Sequence, residues 1–135
     1  MRQDREPNEL DPQLASLSNM IVGAMLSVHE QLGPSRDNAS YEEALAVELS
    51  FRGLRFDRQR TIQLIDRREK KVVEHCVSFV VDEQVIVELK SRDALDVKEL
   101  KKSLPLLRTS GFRMAILISF NTRSVKDGIK RLVLT

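Results

Sequence analysis

Residues 76–90 read CVSFVVDEQVIVELK. Two β-rich apolar runs meet there across a short polar turn, Asp82-Glu83-Gln84, which is the signature of a hairpin. If the chain folds back about Glu83, residues whose numbers sum to about 166 lie opposite one another, and Ser78 faces Glu88. Side chains alternate along a strand, so Glu88 and Lys90 share one face while Val85, Val87 and Leu89 share the other. Taken alone, a carboxylate and an ammonium at this spacing are most simply a solvent-facing ion pair.

Upstream of this hairpin, the run 54–65 is separated from 72–81 by the charged turn DRREKK, so 54–90 reads as a three-stranded antiparallel meander. Two helices precede it. Asp11-Pro12 is a helix start, and Leu14, Leu17, Ile21, Met25, Val28 and Leu32 then recur at helical spacing until Gly33-Pro34 ends the run. In SYEEALAVELSFRG, Ser40 and Glu43 have capping-box spacing, and Tyr41, Leu45 and Leu49 form an apolar side that closes at Gly53.

Downstream, Asp93 is placed to cap a helix carrying Leu95, Val97, Leu100 and Leu104, with Pro105 expected to kink or break it. MAILISF (114–120) is a continuous apolar run of the kind buried in a sheet, and Ser124 is placed to cap a last helix through Leu132. The expected order is α-α-β-β-β-α-β-α, an α/β fold with a mixed sheet. The expected organisation is a flexible tail over 1–10, where Pro7 interrupts polar residues, and a single domain over 11–135.

A chain of 135 residues can bury enough surface to fold without disulfides or a structural metal. Its single cysteine, Cys76, lies in an apolar run and is expected to be a small core residue. No apolar stretch approaches the ~20 residues of a membrane span, and MRQDREPNEL lacks the apolar centre of a signal peptide, so a cytoplasmic location with no membrane partner is expected. Lys and Arg total 22 against 20 for Asp and Glu, so overall charge does not by itself indicate nucleic acid. Cations do gather between Arg55 and Lys71, and again at Lys98, Lys101 and Lys102. With no Trp and one Tyr, stacking on single-stranded bases has little to work with.

Four spans, IVGAMLSVHEQLGP, SYEEALAVEL, VIVELK and SFNTRSVKDGIKRLVL, occur in order along nearly the whole chain and resemble the bacterial GxxExxY protein family. The resemblance implies a PD-(D/E)XK nuclease-like core, with an aspartate on its second strand and E-x-K on its third. Carried over position by position, Gly33 and Tyr41 match the ends of the family motif, whereas its glutamate falls on Asn38. The strand aspartate falls on Ser78 and a third-helix glutamine on Lys102, while Glu88 and Lys90 remain.

What the resemblance implies for chemistry follows from counting ligands. Mg²⁺ needs carboxylate charge to hold it, and three expected carboxylates reduce to Glu88 alone, a weak metal ligand at best. Asp82, Glu83 or Glu74 could substitute only by moving from the turn or along the strand. His75 borders the hairpin but alternation puts it on the face opposite Ser78, and His29 reads as a surface residue. The expectation is a catalytically impaired nuclease fold, a pseudoenzyme with no cofactor, that binds DNA or another protein. An active Mg²⁺-dependent nuclease with a rearranged site and a self-assembling, homo-oligomeric structural subunit are the alternatives.

Overall fold

The computed structural model of the chain describes residues 2–3, 11–34, 36–90, 105–120, 122 and 125–133. Its sheet has six strands in the order β1-β6-β5-β4-β3-β2. They are β1 (Arg2–Gln3), β2 (Phe56–Asp66), β3 (Lys71–Val81), β4 (Val85–Leu89), β5 (Met114–Ile118) and β6 (Ile129–Val133). All neighbours are antiparallel except β4 and β5. That parallel step requires a crossover, which lies in residues 90–113 and includes helical residues 105–110.

Helices α1 (Pro12–Leu32) and α2 (Asn38–Phe51) cover one face of the sheet. Leu14, Ile21, Met25, Tyr41, Leu45 and Leu49 pack there against Phe79, Val81, Val85, Val87 and Ile116. On the other face, Leu106 and Leu107 pack against Ile62, Val77, Val80, Ile86 and Leu117. β4 and β5 therefore bury both sets of side chains, which explains why their sequences are continuously apolar rather than alternating.

Asp11 caps α1 as its sequence suggests, its Oδ1 accepting from the Gln13 amide at 3.2 Å. α2 corrects the capping-box reading: it begins at Asn38, and its cap is Asp37, whose Oδ1 accepts from the Ser40 amide at 2.7 Å. The loop between the helices is closed by Tyr41. Its phenol donates to the Gly33 carbonyl at 2.6 Å, accepts from the Arg36 amide at 3.0 Å and stacks on Phe120 at 4.7 Å. Gly33 ends α1 at φ 68, a conformation that glycine takes without a steric penalty.

One further expectation changes. The last helix is replaced by a 3-10 turn, Val125–Gly128, followed by strand β6, because Ile129–Val133 pairs with β5 and completes the sheet. Gly128 permits this turn to pack closely: a Cβ there would lie 2.2 Å from the Ser119 carbonyl oxygen. At the amino terminus, Arg2 and Gln3 pair with Val133 and Leu132 as β1. Residues 4–10 and the helix expected from Asp93 to Leu104, including Lys98, Lys101 and Lys102, lie outside the described residues.

Candidate functional site

The β3–β4 turn fixes the register first. Asp82 and Glu83 both have positive φ, 51 and 54, and the Gln84 amide donates to the Val81 carbonyl at 3.0 Å, as in a tight hairpin turn matched to strand twist. Val81 pairs with Val85, Val80 with Ile86 and Phe79 with Val87. The next step in this register would set Ser78 opposite Glu88, beyond the last paired residues Phe79 and Val87.

The ladder changes character at that step. Continued without interruption, it would set Leu89 opposite Val77, but the Leu89 amide donates instead to Ser78 Oγ at 3.1 Å. The β2–β3 ladder skips the same point, between Arg58–Phe79 and Arg60–Val77, and Gln59 there has φ 50. Alternation inverts across the skip. Phe79 packs under the helices while Val77, two residues earlier, packs with Val80 on the other face.

The inversion decides who meets Glu88. Glu88 shares the face of Ile86, and upstream of the skip so does His75, two residues from Val77. His75 Nε2 donates to Glu88 Oε1 at 2.8 Å, and Lys90 Nζ lies 3.8 Å from the same oxygen. The expectation that His75 lies on the wrong face is thus overturned. Neither a β-rich sequence nor strict alternation signals a skipped pair, so this contact could not have been read in advance.

Glu88 is also no surface residue. It is 5% exposed, and its Oε2 is buried without a hydrogen-bond partner among the described residues, whereas Lys90 and His75 are partly open to solvent. The reading of Glu88 and Lys90 as a solvent-facing pair is therefore corrected. Burial makes the His75 and Lys90 contacts matter, because an ionised carboxylate out of water is tolerable only with partners.

The other sequence candidates are not gathered here. Asn38 is exposed at the start of α2, whose buried side chains pack on the opposite face of the sheet from Glu88. Asp82 lies 3.8 Å from Arg55, and Glu83 is paired with Arg60. Glu74 is exposed opposite Gln63. Cys76 is exposed rather than a core residue, its thiol donating to Gln59 Oε1 at 3.3 Å. His29 is half-buried, and its Nε2 donates to the Thr122 carbonyl at 2.7 Å, tying α1 to the segment before the 3-10 turn.

The sequence over residues 15–132 matches the family described as the PD-(D/E)XK nuclease superfamily. The chain belongs to that superfamily. No curated protein and no solved structure matches it. The superfamily implies a divalent metal at the E-x-K strand, and the fit can be tested on the side chains present. Among the described residues, no group of three or more His, Cys, Asp and Glu side chains is placed to hold an ion. Glu88 offers one free buried oxygen, Oε2, while its other oxygen is occupied by an imidazole and approached by an ammonium. Mg²⁺ prefers several oxygen ligands in octahedral geometry. The described donor set does not fit it. No described helix is long and apolar enough to cross a membrane.

The basic cluster between residues 55 and 71 divides in two. Near the core, Arg58 bonds Glu42 and Glu43 of α2, and Arg60 bonds Glu83 and Asp57 while lying 5.8 Å over the Phe112 ring. Hydrogen bonds to Glu42 and Glu43 raise Arg58 above the usual arginine value, and the bond to Glu83 does the same for Arg60. At the outer turn, Arg67, Arg68 and Lys70 have no ion-pair partner among the described residues.

Proposed function

We propose that this chain is a catalytically impaired member of its superfamily, of GxxExxY type, which binds a partner through a retained nuclease scaffold. The carrying observation is the engagement of Glu88: the carboxylate expected to hold a metal is bonded to His75, while the Ser78 hydroxyl is taken by the Leu89 amide. The positions of Ser78, Asn38 and Lys102, where the resemblance expects two carboxylates and a glutamine, support the same reading. Glu88 then acts as a remnant that ties β4 to β3 through His75, with Lys90 beside it. Nucleic acid is the favoured partner.

The test is calorimetric titration with Mg²⁺ and Mn²⁺, run beside plasmid cleavage. The parent is expected to show no saturable metal site and no cleavage above background. Cleavage that requires both Mg²⁺ and Glu88 would refute the reading and favour the active-enzyme alternative. Ser78→Asp should raise metal affinity by returning one carboxylate to the strand beside Glu88. A Ser78→Asp variant that melts like the parent yet gains no metal binding would show that the positional correspondence is wrong.

A further inference from the structure

The outer β2–β3 hairpin is an arm. β4 pairs with β3 only over Phe79–Val81, so residues 71–77 of β3 have β2 as their one paired neighbour among the described strands. Ile62 and Val77 are the last buried residues on the arm's inner side, with the partly buried Leu64 packed against the same cluster. Beyond them the two strands continue for four paired residues, Gln63–Asp66 against Lys71–Glu74. At ordinary strand rise these extend about 13 Å, with the turn further out. Residues 67–74 are all exposed.

Charge at its tip is unbalanced in a specific way. Asp66 Oδ1 accepts from the Arg68 and Glu69 amides at 3.0 and 3.2 Å, so this carboxylate shapes the turn. Glu69 pairs with Lys71 at 2.5 Å. Arg67, Arg68 and Lys70 are left exposed with no described carboxylate to neutralise them, whereas Arg58 and Arg60 at the base are paired. Behind the tip, Ile65 and Val72 lie opposite one another, 65% and 60% exposed.

We propose that this arm is a duplex-DNA-binding ribbon, entering the major groove with Arg67, Arg68 and Lys70 on the phosphates. The major groove admits a two-stranded ribbon, unpaired cations at the tip supply the counter-ion-releasing contacts, and Ile65 and Val72 offer apolar surface to thymine methyls. The inference rests on the reading that the chain binds rather than cuts. It deepens that reading by naming the partner and the surface.

The test is fluorescence anisotropy with a labelled 20-base-pair DNA duplex in EDTA over a series of salt concentrations. The parent should bind with a clear salt dependence. Arg67→Ala/Arg68→Ala/Lys70→Ala should flatten the log–log salt slope by about 2 to 3. Arg67→Lys/Arg68→Lys should retain it, as should Arg108→Ala, which removes an exposed cation elsewhere. A duplex RNA of the same sequence should bind more weakly, because the A-form major groove is too narrow for the ribbon.

Absence of salt-dependent binding by the parent, an unchanged slope in the triple variant, an equal loss in Arg108→Ala, or equal affinity for RNA would each overturn the proposal. So would a dimer that Ile65→Ser/Val72→Ser dissociates in a parent that binds no DNA. EDTA keeps the result separate from the metal question: a parent that cleaves in Mg²⁺ refutes the impaired-site reading without altering the arm measurements.

Discussion

Glu88 and Glu74 are carboxylates on adjacent strands of one sheet. Glu88 sits where β4 is covered on both sides, 5% exposed and bonded to His75. Glu74 sits on the arm, exposed opposite Gln63. At the sheet centre, charge is fixed by partners the fold supplies, and little is left for a ligand. Toward the arm's end, three exposed cations have no ion-pair partner among the described residues. A charged residue's sequence neighbours therefore say less about its availability than its distance from the covered part of the sheet.

The largest effect that can break this contrast is apolar truncation. Phe79→Ala removes a fully buried ring that also meets Phe56 edge-on at 5.6 Å, and should cost about 3–5 kcal/mol in urea unfolding. Val72→Ala on the arm should stay within about 0.5 kcal/mol. A comparable cost at Val72 would mean that the arm is covered and not free.

The two carboxylates sharpen it next. Glu88→Ala should cost about 1–3 kcal/mol, since it strands His75 and Lys90 after the charged hydrogen bond is lost, whereas Glu74→Ala should be nearly neutral. Equal melting of the two variants would put Glu88 at the surface. His75→Ala should cost less than Glu88→Ala, because His75 is already half-open to water. If it instead costs more, imidazole packing and not the carboxylate holds the junction.

The smallest effect lies at Asp37, exposed at the start of α2. The Ser40 amide and then the Ser40 hydroxyl hold its carboxyl below the usual range, with the Arg36 charge adding to them. Because the folded value is depressed, the cap's contribution is present above the unfolded value of about 4 and is lost as pH falls through the folded value. Asp37→Asn keeps a capping side chain and should remove this acid-side dependence, read as a flatter midpoint-versus-pH curve. An unchanged curve would assign the acid sensitivity elsewhere.

The helices, the meander and the register about Glu83 were legible because each has a local cause: helical spacing of apolar residues, turn chemistry, and a period of two. The missed elements share the opposite property. Ile129–Val133 is short enough to continue a helix or form a strand, and pairing with β5 decides for the strand. Cys76 follows an apolar pattern, yet it points away from its buried neighbour Val77, to a side of β3 that is left exposed.

By itself the sequence determined the two leading helices, the hairpin register about Glu83, and the strand that carries Glu88, since backbone periodicity and turn preference act over a few residues. Only the tertiary structure decided that His75 reaches Glu88 and that, among the described residues, Arg67, Arg68 and Lys70 have no ion-pair partner while Arg58 and Arg60 do. The first follows from a skipped pair at Gln59 and Ser78, which inverts the faces of β3. The second follows from where the first turns of α2 and the β3–β4 turn lie, because a carboxylate can neutralise a cation only within a few ångströms and the fold alone sets that distance.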